Sequence, residues 1–342
     1  MVEVTGTAQR AAWQRKELPP VELVRPGLWS IPVPMTGSPL RYVLVYALAL
    51  PDGVALVDAG WPADDAWSAL VAGLAECGYA LTDVRAVLVT HWHADHHGLA
   101  GAVREASGAW IGMHALDAAA VKGRSDPTAF VENITAWVRA RGGGDGDVAE
   151  TVGSIEDARR FRALAEPDRI IEDGDRPVAG VRAVWTPGHT AGHLCFFDED
   201  RRLLLAGDHV LPRISPNITL HPGQTADPLG DFLRSLTRTG ELPADEVLPA
   251  HEYRFAGLRD RVAALHAHHA ARLAEVTGLV SATPGATTWD LASRLTWSRP
   301  WPQVQGMIRR SAVGETYAHL AHLARRGELV RADSDVDAWR LA

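Results

Sequence analysis

The sequence predicts an α+β fold with a core in two halves, a helical insertion and a small C-terminal appendage. Three observations carry that prediction. Apolar strand-like runs alternate with amphipathic helical stretches twice over, once before residue 122 and again from about residue 170. Four of the runs end at a histidine or an aspartate. A glycine-broken stretch at 122–166 separates the two halves, and a helix, helix, hairpin pattern follows residue 287.

Each element has a local reason. Residues 28–58 read as strands turning at Pro51-Asp52-Gly53, and residues 64–78 put Trp67, Leu70, Val71 and Leu74 on one helical face. Residues 84–89 are β-branched and bounded, as a buried strand requires, and residues 98–103 return to small, helix-compatible side chains. The insertion carries Phe130, Ile134, Trp137 and Val138 at helical spacing, the breaker Gly142-Gly143-Gly144-Asp145-Gly146, then a further helical stretch to Leu164. Its apolar and aromatic content suits a lid or pocket wall, or a helical pair docked for stability or dimerisation. In the second half, residues 228–238 align Leu229, Phe232, Leu233 and Leu236. Residues 258–276 align Leu258, Val262, Leu265, Leu273 and Val276, which leaves His266, His268 and His269 on the helix surface. Residues 214–224 form a second pocket segment. The tail suggests helices at 288–295 and 314–326 and a hairpin, 328–330 with 338–341, around Asp333-Ser334-Asp335.

The chemistry concentrates in Thr90-His91-Trp92-His93-Ala94-Asp95-His96-His97-Gly98, which follows the strand at 84–89. His91 and His93 are two apart and project to one side of an extended segment, while Asp95 and His96 come where the loop bends into a helix. That spacing suits two ions a few ångströms apart. A histidine-rich turn alone is as readily a solvated loop, but three further strand ends carry metal-competent groups. They are His189 in Thr186-Pro187-Gly188-His189-Thr190, Asp208 after Leu203-Leu204-Leu205-Ala206-Gly207, and His251 after Val247-Leu248-Pro249-Ala250.

With those motifs in place, residues 28–276 resemble the metallo-β-lactamase superfamily, in its glyoxalase II-like branch. The resemblance implies a four-layer αβ/βα sandwich with the metal site at the shared edge of two sheets. It also implies that His91, His93 and His189 hold one ion, that Asp95, His96 and His251 hold another, and that Asp208 bridges them. Asp58, in Leu56-Val57-Asp58-Ala59-Gly60, matches the family's first motif and is expected to orient the histidine loop. Imidazoles and carboxylates without thiolates suit two Zn2+, although iron or manganese accepts the same ligands. His93 stands where the di-iron redox members usually carry glutamate, which favours hydrolysis. A water bridging two divalent cations would supply hydroxide at neutral pH, with Asp95 carrying a proton to the leaving group. Tyr253 and His209 are further candidate catalytic residues, each equally readable as packing.

Composition narrows the rest. The 342 residues, 46% hydrophobic and 22% charged, suffice for one large domain plus an appendage. The expected division is an N-terminal segment 1–27, a catalytic domain 28–276 and a winged-helix-like domain 277–342. A net charge of −8 disfavours nucleic acid and acidic lipid, and the expected wing carries Asp333, Asp335 and Asp337. Two cysteines in no metal-binding spacing, no apolar leader in residues 1–20 and no bilayer-length run point to a cytoplasmic protein. The expected partner is a small thioester, ester or lactone substrate, with homo-oligomerisation left open. The alternatives are a metal-dependent ribonuclease, suggested by the tail, a β-lactam hydrolase, and a metal-binding protein without turnover.

Overall fold

The computed structural model describes residues 2–123, 126–153, 164–220 and 224–342. Most of the second helical stretch expected in the insertion, and positions 221–223 of the expected pocket segment, lie outside the described residues. The chain forms two compact units. One holds the described residues of 1–123, 163–216 and 235–262, the other those of 124–162, 217–234 and 263–342.

The first unit opens with β1 (Glu3–Val4) and α1 (Thr7–Arg15), then β2 (Glu22–Arg25), β3 (Leu28–Pro34), β4 (Tyr42–Leu50) and β5 (Gly53–Val57). Next come α2 (Asp64–Glu76), β6 (Val84–Leu88), α3 (Ala94–His97), α4 (Ala100–Ser107), β7 (Trp110–Met113) and α5 (Ala115–Gly123). After α6 (Pro127–Ala140) and α7 (Asp145–Thr151) of the other unit, the first resumes with β8 (Arg169–Ile170), β9 (Val181–Trp185), β10 (Leu194–Asp198) and β11 (Leu203–Gly207). The second half of helix α8 (Pro228–Gly240), β12 (Glu246–Pro249), β13 (Phe255–Ala256) and the start of α9 (Leu258–Ala282) complete it.

Two sheets result. One runs β2-β3-β4-β5-β6-β7-β8, antiparallel as far as β5 and parallel beyond it. The other runs β1-β13-β12-β11-β10-β9 and is antiparallel except between β11 and β12. The pleat of β4 shows why the sheets sit inside four layers. Tyr42, Leu44, Tyr46 and Leu48 join Leu88, Phe196, Leu205 and Leu248 between the sheets, while Val43, Val45 and Ala47 face outward onto Leu70, Leu74 and Val103 of the helices. On the second sheet, residues 235–240 of α8 form the cover: Ser235 Oγ donates to the Pro187 carbonyl, and Thr239 Oγ1 lies 3.1 Å from His209 Nε2. The first 27 residues, which the sequence sets apart, supply β1 to one sheet and β2 to the other. Gln9 is fully buried between Ser30 Oγ and the Arg254 amide.

This topology gathers one set of strand ends. Antiparallel β9, β10 and β11 followed by parallel β12 make β9, β11 and β12 point the same way. At that edge the Leu194 amide donates to the Thr90 carbonyl (2.8 Å) and the Leu44 amide to the Ala250 carbonyl (2.7 Å), stitching the second sheet to the loop after β6 and to β4.

In the second unit, α6 starts with Asp126 accepting from the Thr128 and Ala129 amides and with Pro127 in its first turn. Its Ile134, Trp137 and Val138 share one core with Val152, Trp289, Ala292 and Val313, so the insertion and the C-terminal segment fold together. Helix α10 (Thr288–Arg294) begins with a reciprocal Thr287–Asp290 capping box, and α11 (Gly306–Arg325) starts eight residues earlier than the sequence suggests. Strands β14 (Leu329–Arg331) and β15 (Trp339–Leu341) pair antiparallel, and buried Asp337 accepts from Arg141 (2.6 Å) and Thr288 (2.9 Å). His269 departs from the surface position expected of it. It is 1% exposed, and its Nδ1 lies 3.2 Å from Nε2 of His319.

Candidate metal centre

The loop after β6 carries its histidines into the first unit because Asp58 holds it there. Asp58 sits in the left-handed region at φ 63°, a conformation aspartate tolerates better than most residues. Its Oδ1 accepts from the Thr90 amide (2.8 Å), and its Oδ2 accepts from the Thr90 hydroxyl (3.0 Å) and from His96 Nδ1 (2.8 Å). The tautomers follow. His96 carries its proton on Nδ1 and turns Nε2 inward. The Thr90 hydroxyl has spent its hydrogen on Asp58, so it accepts from His91 Nδ1 at 3.0 Å and leaves His91 Nε2 a lone pair. His251 is fixed in the same sense by Nδ1 donating to the Tyr42 carbonyl at 2.9 Å.

Two donor groups result. His91 Nε2, His93 Nδ1 and His189 Nε2 lie 2.9, 3.0 and 3.2 Å apart. Ligands ~2.0–2.1 Å from one tetrahedral ion stand roughly 3.3 Å from each other, so these three nitrogens have the spacing of a shared cation. Asp95 Oδ2 faces His96 Nε2 at 3.7 Å and His251 Nε2 at 3.5 Å, making the second group. Asp208 reaches both. Its Oδ2 lies 3.6 Å from His189 Nε2, and its Oδ1 lies 3.6 Å from His96 Nε2 and 3.4 Å from His251 Nε2.

The residues fit a pair of divalent cations on a further ground. His96 Nε2, His251 Nε2 and Asp208 Oδ1 are buried with no hydrogen-bond partner, a cost that coordination removes. The electrostatics agree. Burial, aided by the neighbouring imidazoles, holds His91 and His93 well below the usual histidine range and so keeps them neutral. Burial opposes charge on His96 as well, but the carboxylates of Asp95, Asp208 and Asp58 outweigh it and raise its pKa. His251 is raised against burial by Asp208 and Asp95. In return, His96 and His251 overcome burial to hold Asp95 at about 2 and Asp208 well below the carboxylate range. This concentration of negative charge is what a divalent cation balances.

The structure thus gathers His91, His93, Asp95, His96, His189, Asp208 and His251 in one place. His193, four residues after His189, accepts from the Asp208 amide through Nε2 at 3.2 Å and meets Thr186 Oγ1 through Nδ1 at 2.8 Å. Gly207 permits that approach. At φ 50°, a Cβ there would stand 2.8 Å from His193 Nε2 and 2.9 Å from Thr90 Cβ. His209 lies behind His193, ring centroids 6.0 Å apart, and burial depresses it to about 3. Tyr253 packs edge-on to Trp13 at 6.1 Å, and burial raises its hydroxyl pKa. Sequence reasoning missed Asp117, a buried acid that joins two ligand loops. Its one signal is an isolated acid in the otherwise apolar run Ala115-Leu116-Asp117-Ala118-Ala119-Ala120-Val121.

A family model described as the metallo-beta-lactamase superfamily matches residues 38–251. A probable metallo-hydrolase of Bacillus subtilis, YqjP, is 28% identical over 215 residues, 61% of this chain and 66% of that protein. A hydroxyacylglutathione hydrolase of Rhizobium etli is 34% identical over 115 residues, 32% of this chain and 41% of that protein. The chain therefore spans less than two thirds of either relative. Among solved structures, a metallo-beta-lactamase family protein of Thermus thermophilus matches with a TM-score of 0.81 at 34% identity, covering 94% of this chain and 100% of that one. A beta-lactamase domain protein of Burkholderia ambifaria matches at 0.75 and 26%, covering 94% and 95%.

Proposed function

The chain belongs to the metallo-beta-lactamase superfamily, and on that premise we propose that it is a hydrolase dependent on two divalent ions, zinc by preference, acting on a small thioester, carboxylic ester or lactone. The observation that carries the reading is the split of Asp208, one carboxylate oxygen toward His189 and the other toward His96 and His251. Bound at these two donor groups, divalent ions supply Lewis acidity and lower the pKa of a water.

The chain's own residues do the rest. Asp58 and Thr90 hold the Nδ1 protons of His96 and His91, and the Tyr42 carbonyl that of His251, so that in each ring Nε2 is the atom a cation would take. Asp95, one of whose oxygens faces both His96 and His251, is assigned to take the proton of the attacking water and return it to the leaving group. No serine or cysteine nucleophile is required, and both cysteines are buried. The acyl class is supported by the relative named hydroxyacylglutathione hydrolase.

Asp208→Asn tests the reading. It should abolish turnover of acyl substrates and lower bound metal while the circular dichroism spectrum stays native. Full turnover in that variant would defeat the proposal.

A further inference from the structure

Asp117 belongs to none of the donor groups at the centre, yet its residue is 1% exposed and its carboxylate accepts three hydrogen bonds. Oδ2 accepts from the Trp92 amide at 3.0 Å and from the Thr190 hydroxyl at 2.8 Å, and Oδ1 accepts from the Gly192 amide at 2.7 Å. Trp92 stands between His91 and His93, and Thr190 follows His189. All three imidazoles of the first donor group are thus carried on two loops that meet at one carboxylate.

We infer that Asp117 is the positioning residue of the first ion, fixing the separation of the His91–His93 loop from the His189 turn; this rests on the two-ion reading proposed above. A buried charged acceptor suits that task because it satisfies three donors from two loops at once, and losing it strands them together. Its own backbone is anchored, since the Asp117 amide donates to the His114 carbonyl at the end of β7. Gly192 belongs to the same device. A Cβ at that position would lie 2.6 Å from the Asp117 amide nitrogen and 2.7 Å from Oδ1, so only glycine lets the turn close on the carboxylate.

The second donor group is held by other means. His96 is fixed by Asp58 and His251 by the Tyr42 carbonyl, and neither contact involves Asp117. Loss of Asp117 should therefore act on one ion and spare the other, an asymmetry that a merely structural role does not produce.

The test is zinc titration of full-length metal-free protein against a chromophoric chelator, with the visible spectrum of the cobalt-loaded form as a second readout. Wild type, Asp117→Ala, Asp117→Asn and Thr190→Val are compared. In Asp117→Ala one of two binding events should weaken about 10–100-fold, the usual cost of losing an outer support of a metal ligand, and one set of cobalt bands should change. Thr190→Val, which removes a single donor at nearly constant volume, should weaken the same event by less. If Asp117→Ala does not fold, Asp117→Asn and Thr190→Val decide. Equal weakening of both events, or of neither, overturns the inference and leaves the hydrolase reading standing. Wild type that binds no metal overturns both.

Discussion

Asp58→Asn is the sharpest perturbation of the centre, because it changes hydrogen-bond polarity at nearly constant volume. Asparagine tolerates the φ of 63° and retains an oxygen for the Thr90 amide. That bond fixes which way the amide points, so its NH2 group replaces Oδ2, facing Thr90 Oγ1 and His96 Nδ1. The Thr90 hydroxyl accommodates the change with its two lone pairs. His96 cannot keep its proton on Nδ1 against a donor, so the proton moves to Nε2, the atom turned toward Asp95 and Asp208. The bond lost is one to a charged group, about 1.5–3 kcal/mol, equivalent to a roughly 10–150-fold weaker second ion at about 1.4 kcal/mol per decade. Elemental mass spectrometry after equilibration with a buffered zinc pool should find about one ion per chain, with a native circular dichroism spectrum and an unfolding midpoint lowered by the loss of the second ion. Two ions held at wild-type affinity would refute the tautomer argument.

Two further outcomes follow from the helical unit. Burial holds His319 at about 4 and His269 at about 2, below the ordinary imidazole value of ~6.5, so the folded state refuses protons that the unfolded chain takes up. The stability they contribute is complete above about pH 6.5 and falls away as the pH drops, down to about 4 for His319 and about 2 for His269. His319→Gln should therefore lose about 2 kcal/mol less than wild type between pH 7.5 and 5, from ~1.5 pH units at about 1.36 kcal/mol each. Urea midpoints at the two pH values check this, and parallel losses would count against it. Trp137→Ala empties the shared core of α6 and α10 and should cost about 3–5 kcal/mol in chemical denaturation, with metal content unchanged. A cost near zero would mean that Trp137 does not support that core.

The histidine loop was legible because its metal-competent side chains are packed into one short segment and because His189, Asp208 and His251 each follow an apolar strand. The strands within 28–58 were legible from their apolar runs and the Pro51-Asp52-Gly53 turn, but the burial of β4 on both faces depends on layers that no local pattern announces. Asp117 was not legible, since its partners Thr190 and Gly192 lie 73 and 75 residues away and no local pattern joins them. His269 was misplaced for the same reason, its partner being 50 residues on. The early start of α11 was hidden because Met307 and Ile308 are exposed there, so the first two turns present no apolar face to recognise. The role of residues 1–27 depends on pairing with β13 and β3, which a short strand does not announce.

A two-ion hydrolytic centre is checked by metal analysis of the purified protein, followed by assays of the same sample on thioester, ester, lactone, β-lactam and RNA substrates. Such a centre requires about two divalent ions per chain and cleavage of one acyl substrate that stops on chelation and returns with zinc. Acyl cleavage that persists in protein stripped of metal would contradict it.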